Sequence, residues 1–402
     1  MTEWEPCPVA ACYYLDPADA TVGLRMSLLT KRISRRLRRE ALRVTGEPAA
    51  ALISIGPSNA SSIAKRYCGV QAEALIEDGG ITSLVPQHLP MDCIDSLRPF
   101  RMACETVLLT IENEGFSFRN ELLHDPECNV LFAETLSEPE VLGFRRYTPR
   151  QCRKFRGTVA YLSNTWVENY YHWMQLTLPL LRLYGKLAPD IRPDYYYLGE
   201  NGGNCRIQEE TLLLLGIRPE QILREPCRAD RLLVAIYIHR PQHLGVRFRD
   251  IWGHAFVRRL YPPAERRGAP RRIYVKRGPV RNRRIRNEDE VMSVLTTYGF
   301  MPVVLDGLTV REQARLFAEA DAIVGMHGAA LTNLLFAQSD AAVVEIFPPG
   351  LTDAGHFTTS TYSNLRYHYM IGEGVPRGPQ DDASVDIEKL EAALALAGIT
   401  QG

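Results

Sequence analysis

"ADAIVGMHGAALTNLLFAQSDAAVVEIFPPG", residues 320–350, holds two apolar runs separated by a turn of small residues. Ala322 to Gly325 reads as a buried strand, and the turn with His327 follows it at once. The spacing predicts a compact helix from Ala329 to about Ala337 and a second strand from Ala342 to Phe347. Strand, tight turn, helix and strand make a parallel βαβ unit. Its turn lies at the carboxyl end of a strand, where open α/β sheets take their ligands. Gly328 and Ala329 leave backbone N–H groups uncovered at the helix start, a place suited to a phosphate or pyrophosphate.

The pattern extends in both directions. "RRIYVK" (271–276) and "MPVVLD" (301–306) read as strands. Between them Asn287 and Glu290 form a capping box, Val291, Val294, Leu295 and Tyr298 recur at helical spacing, and Gly299 stops the helix. Thr309 and Glu312 form a second capping box ahead of Leu316, Phe317 and Ala320. This alternation predicts a parallel, Rossmann-like sheet. Upstream, "ALISIG" (51–56), "TVLLTI" (106–111), "TVAYLS" (158–163), "DYYYLG" (194–199) and "RLLVAIYI" (231–238) are strand candidates, with helices over 169–187 and 206–215. Residues 261–272, rich in Pro, Gly and Arg, mark the best linker. The expected organisation is an arm over 1–50, an α/β domain over 51–260, a Rossmann-like domain over 261–380, and a last helix in 381–402 that packs back across both.

At 402 residues the chain exceeds one average core, which fits two domains. Acids and bases balance at 47 each, so overall charge gives no argument for nucleic acid. The local exception is Lys31–Arg39, either a solvated basic helix face or a patch for anionic lipid or polysaccharide. No run of eighteen apolar residues occurs, and the acidic N-terminus does not read as a signal peptide. The nine cysteines include no CxxC pair and no cluster at zinc spacing. Reduced thiols and a cytoplasmic location, with contact at the inner face of a membrane through Lys31–Arg39 as a further option, fit these features.

Three clusters carry candidate chemistry. In "GMHGAALTN" (325–333), His327 either bonds a diphosphate or only caps the helix; the segment lacks the GxGxxG fingerprint of dinucleotide sites. In "VKRGPVRNRRIRNEDE" (275–290), six basic side chains follow a strand end on the same rim. Arg277 and Arg284 are the candidate anion contacts, and Asn287 is a helix cap. In "NYYHWMQLTLPLL" (169–181), helical spacing puts Asn169, His172 and Trp173 on one side. They suit either holding a sugar ring, with His172 as base, or a buried aromatic helix that Pro179 kinks or ends. There is no Asp-x-Asp, no GxxxxGK[ST] and no GxSxG, so neither a metal nor another cofactor is expected.

In order along the chain, "NYYHW…LP", "R…RRI.NEDEV…GF", "EQARLFAEADAIVGMHGAALTNLLF" and "VVEIFP" resemble glycosyltransferase family 61 over roughly residues 161–348. The resemblance implies a GT-B-like fold, two Rossmann-like domains facing a cleft. It also implies an inverting transfer without an essential metal, from a nucleotide-sugar donor to a glycan or lipid-linked acceptor, as in capsular or other cell-surface polysaccharide synthesis. It carries donor contacts onto Arg277, His327, Gly328, Ala329, Ala330 and Asn333, with Glu345 nearby to bind ribose hydroxyls or to act as an ordinary strand-end acid. Bacterial relatives often have an acid shortly after "HW", where this chain has Met174, Gln175, Leu176 and Thr177. That departure leaves His172, Glu168 or an unassigned residue as the acceptor base, with Asn169 and Trp173 at the acceptor.

Overall fold

A computed structural model describes residues 52–54, 64–66, 68–82, 87–88, 101–112, 115–119, 122–127, 130–132, 152–163, 167–199, 205–238, 251–262, 268, 270–278, 282–351, 353–376 and 381–401. The basic stretch Lys31–Arg39 and much of the expected linker lie outside them. Contacts divide the chain into two units, Met1–Gly79 with Ala103–Gly245, and Gly80–Met102 with Val246–Gly402.

The first unit is built on a mixed sheet. Its strands are β1 (Leu52–Ser54), β2 (Val70–Thr82), β4 (Arg101–Ile111), β5 (Ser117–Arg119), β6 (Leu122–His124), β7 (Val130–Phe132), β8 (Arg153–Tyr161), β9 (Tyr195–Tyr197), β10 (Ile222–Leu223) and β11 (Cys227–Ile238), while β3 (Gln87–His88) belongs to the other unit. The long strand β11 is central, parallel to β8 and antiparallel to β4. Phe118, Tyr161 and Tyr197 pack at its core, with the Phe118 and Tyr197 rings stacked at 5.1 Å. The helix expected over 169–187 is present but interrupted. A short turn α1 (Tyr170–His172) runs through a π turn (Trp173–Thr177) into α2 (Leu180–Leu187). Pro179 has no N–H to continue the ladder, and the Leu178 N–H reaches back five residues to the Trp173 carbonyl at 2.8 Å. The Tyr184 hydroxyl then fixes α2 to the sheet, donating to the Tyr161 carbonyl and accepting from the Ala235 N–H. Helix α3 (Cys205–Leu214) completes this unit.

The second unit holds a six-stranded sheet whose pairs are all parallel: β12 (Arg272–Lys276), β13 (Met301–Val304), β14 (Ala322–Met326), β15 (Ala342–Phe347) and β16 (Arg366–Ile371), with β3 on the edge of β16. The spatial order is β13-β12-β14-β15-β16-β3. Counting the strands after residue 270, that is 2-1-3-4-5, the doubly wound arrangement whose crevice opens between the first and third strands. Its helices are α4 (Ile251–Leu260), α5 (Glu288–Thr297), α6 (Val310–Glu319), α7 (Gly355–Tyr362) and α8 (Ile387–Leu396).

Period-two alternation sorts the strand residues. Tyr274, Val324, Met326, Val344 and Ile346 pack with Val291 and Leu295 of α5 and Leu390 and Leu394 of α8 in one core. Burying side chains of this size contributes roughly 1.5–3 kcal/mol each. The C-terminal helix, expected to pack back across two domains, thus joins the core of this unit. The opposite parity carries Val275, Arg277, Gly325, His327, Glu345, Phe347, Tyr367 and Tyr369. Between β14 and β15 the chain forms 3₁₀ turns over Ala329–Phe336 in place of the expected α-helix, beginning with the Leu331 N–H on the Gly328 carbonyl. Asn333 takes part by donating to the Ala330 carbonyl.

Candidate functional site

The rim at the carboxyl ends of β12 and β14 is the crevice that this strand order opens. Register already pairs Val275 with Gly325, so two residues on Arg277 and His327 face each other. The Arg277 guanidinium donates to the His327 carbonyl at 2.9 Å. Gly328, between His327 and the 3₁₀ run, is extended (φ 165°, ψ 174°), which any residue adopts. Its requirement is spatial: a Cβ there would lie 2.6 Å from Arg277 Nη1. Ala329 and Ala330 are half-buried on this rim, and their N–H groups open the 3₁₀ run without a partner inside it.

A second guanidinium joins Arg277. Arg283 is half-buried and held in the left-handed region (φ 55°). Burial lowers the pKa of both arginines, and Arg283 adds its repulsion to the effect on Arg277; Asp306 and Asp353 partly compensate. Two like charges kept together and partly desolvated favour an anion between them. Arg284, the expected partner of Arg277, points elsewhere. Its exposed guanidinium grips Asp382 at 2.7 Å and its N–H bonds the same carboxylate, tying down the C-terminal segment. Successive residues of the loop thus take opposite tasks, which a run of arginines does not reveal in sequence.

Glu345 departs further from expectation. It lies inside β15 and is fully buried, with Oε1 2.6 Å from His327 Nδ1 and Oε2 accepting from the Tyr367 hydroxyl at 2.6 Å. Both oxygens are engaged within the protein, so Glu345 stands behind His327 as a buried support. The His327 ring stacks on Phe347 at 5.2 Å and faces His356, whose Nε2 sits 3.0 Å from the Gly328 carbonyl. Ligand atoms of His327, Glu345 and His356 lie within 4.8 Å of one another, the one metal-like grouping among the described residues. The short Nδ1–Oε1 contact and the bonds to Tyr367 and Gly328 already account for this grouping as a hydrogen-bonded cluster. Asn333 is fully buried, bonded to Gln313 and the Ala330 carbonyl, and so braces the turn from behind.

Tyr367 and His356 escaped the sequence reading. Tyr367 sits in β16, "RYHYMI", a strand that the sequence reading also left out. His356 opens "GHFTTSTY", which lacks an apolar stripe. Its buried hydroxyls are satisfied within the helix by carbonyls four residues back, Thr358 on Ala354 and Thr359 on Gly355.

In the first unit, Asn169 caps the helix by accepting from the Tyr171 N–H. Trp173 is closed into the core (1% exposed), its indole N–H on Thr211 Oγ1 at 2.9 Å, so its ring is not available to stack on a sugar. His172 is half-buried, edge-on to Tyr171. Glu168, half-buried just before the cap, keeps one buried carboxylate oxygen with no hydrogen-bond partner among the described residues.

A parallel α/β sheet with a basic rim at its switch point is the class of structure these elements define. Residues 170–344 match the family model described as Glycosyltransferase 61. The chain is also similar to two proteins of Oryza sativa subsp. japonica. It is 35% identical over 112 residues to the beta-1,2-xylosyltransferase XAX1 and 38% identical over 114 residues to the alpha-1,3-arabinosyltransferase XAT3. Each match covers 26% of this chain and 19% of the relative, so the chain spans about a fifth of the length of these proteins.

Proposed function

We propose that the chain is an inverting glycosyltransferase that moves a sugar from a nucleotide-sugar donor to a glycan or lipid-linked acceptor in cell-surface polysaccharide synthesis. The observation that carries this reading is the meeting of Arg277, Arg283, His327 and the open N–H groups of Ala329 and Ala330 at one switch-point rim. These groups would hold the donor's diphosphate and stabilise the charge that develops on it as the glycosidic bond to the donor breaks. The names of the rice proteins favour a pentose as the first sugar to test. A GT-B-like arrangement, with the acceptor on the first unit, completes the proposal.

For the acceptor base, Glu168 is the stronger of the two candidates. One of its buried carboxylate oxygens has no hydrogen-bond partner among the described residues and can accept a hydroxyl proton. The chemistry is then attack of the deprotonated hydroxyl on the anomeric carbon as the nucleoside diphosphate leaves. Calorimetry with UDP and GDP, joined to a sugar-release assay over a panel of nucleotide sugars, tests this function. Failure to bind either nucleotide would remove the donor reading. Binding without transfer to any acceptor would favour a non-catalytic nucleotide-sugar-binding protein. Glu168→Gln should lower turnover by about 10²-fold or more with donor binding intact, the usual scale for loss of a general base.

A further inference from the structure

The chain of contacts Tyr367–Glu345–His327 runs from β16 through β15 to the rim, and two of its members, Glu345 and Tyr367, lie beyond the segment that the family model matches. Burial and the adjacent carboxylate hold the Tyr367 phenol well above its ordinary range, so Tyr367 is the donor in its bond to Glu345. With Glu345 as a carboxylate both of its oxygens accept, Oε2 from Tyr367 and Oε1 from a proton on His327 Nδ1. The remaining ring nitrogen, Nε2, has no partner among the described residues. Around the ring stand Glu345 from β15, His356 from α7, and Arg277 from the end of β12, with Arg283 beyond Arg277 and Phe347 stacked on one face.

We propose that Glu345 and Tyr367 are positioning residues that hold His327 in its Nδ1–H tautomer, so that a diphosphate binds with uptake of a proton on Nε2. This rests on the reading of the rim as a diphosphate site. The proton comes from solvent, Glu345 stays a carboxylate, and the doubly protonated ring donates Nε2–H to a phosphate oxygen. An Nε2 lone pair would repel that oxygen, and the buried carboxylate supplies the counter-charge that lets the ring become a cation there. Without the Tyr367 hydroxyl, Glu345 becomes the better proton holder. With one proton taken up from solvent before any ligand arrives, it would donate to Nδ1 while the ring carries its own proton on Nε2.

Two measurements test this. Calorimetry of UDP binding at pH 8, in buffers of different ionisation enthalpy, should show uptake approaching one proton in the wild type. Uptake should be lost in His327→Gln and reduced in Tyr367→Phe and Glu345→Gln. Nitrogen-15 NMR of labelled histidines should show Nδ1–H for His327 in the free protein, both nitrogens protonated with UDP bound, and Nε2–H in free Tyr367→Phe. The NMR assignment stands on the wild type alone should a variant not fold. Binding of UDP without proton uptake, uptake unchanged in His327→Gln, or an Nε2–H tautomer in the free wild type would overturn this proposal and leave the diphosphate site standing. No binding of UDP, GDP or inorganic pyrophosphate would overturn both.

Discussion

Gly328 and Arg277 compete for one volume. The extended backbone of Gly328 would accept any residue, but a Cβ placed there meets the guanidinium that bonds the His327 carbonyl. Arg277→Ala should weaken nucleoside-diphosphate binding by about ten- to a hundred-fold, since charge-assisted contacts contribute roughly 1.5–3 kcal/mol. Gly328→Ala should weaken it through the same arginine, by displacing it. The two changes together should therefore cost little more than Arg277→Ala alone, whereas independent sites would add. Calorimetry on the four members of this cycle decides between those outcomes. Gly278 stands in a similar relation to Asp306, whose carboxylate fills the place of its missing Cβ. Glycines flanking the arginine thus leave room for charged side chains, a use that conformation alone would not suggest.

At the scale of elements, Thr309 and Glu312 form the reciprocal cap that their spacing predicts, Thr309 Oγ1 accepting from the Glu312 N–H and Glu312 accepting from the Thr309 N–H. Thr309→Ala should cost about 1 kcal/mol of stability, read as a lower denaturant midpoint with an unchanged slope. Asn287 follows a different course. Its side chain holds Glu290 and, through Val385, the approach to α8, and makes no bond to its own helix N–H groups. The neighbouring Arg284–Asp382 contact adds a pH signature. Hydrogen bonds from Arg284 hold the Asp382 carboxyl below its ordinary range. A depressed carboxyl contributes stability above its unfolded pKa and loses it as pH falls through the folded one. Arg284→Ala should flatten the acid limb of the stability curve, measured by thermal melts between pH 6 and 3. Parallel strands such as β12, β14 and β15 were legible because burial on both faces makes them short apolar runs. The 3₁₀ run and the π turn were not, because they differ from an α-helix only in local hydrogen-bond register, which apolar spacing does not encode, and the task of Arg284 was not, because Asp382, far along the chain, decides it. The rim itself was legible, since a parallel sheet sends all its strand ends the same way. The clamp behind it was only half legible: His327 announces itself beside glycine, while Tyr367 looks like any strand tyrosine.

For the molecule as a whole, the proposed transfer would rest its charge stabilisation on arginines, an imidazole and backbone N–H groups, so that activity is expected to survive EDTA. A complete loss restored by Mn²⁺ would overturn that expectation, and His327, Glu345 and His356 would be the first ligands to test among the described residues. Among the described residues no helix is long and apolar enough to cross a membrane. The second unit also has a property that matters to anyone who wishes to make it separately. It is not one continuous stretch of chain, because Gln87–His88 pairs with His368 and Tyr369 at the edge of β16. A recombinant piece starting at residue 246 would expose that edge as a row of open donors and acceptors, a template for self-association. Such a piece should elute from a sizing column as dimers or larger species. A synthetic peptide covering 80–102, added in trans, should bind it and return it to the monomer. A monodisperse monomer without the peptide would show that the borrowed strand is dispensable.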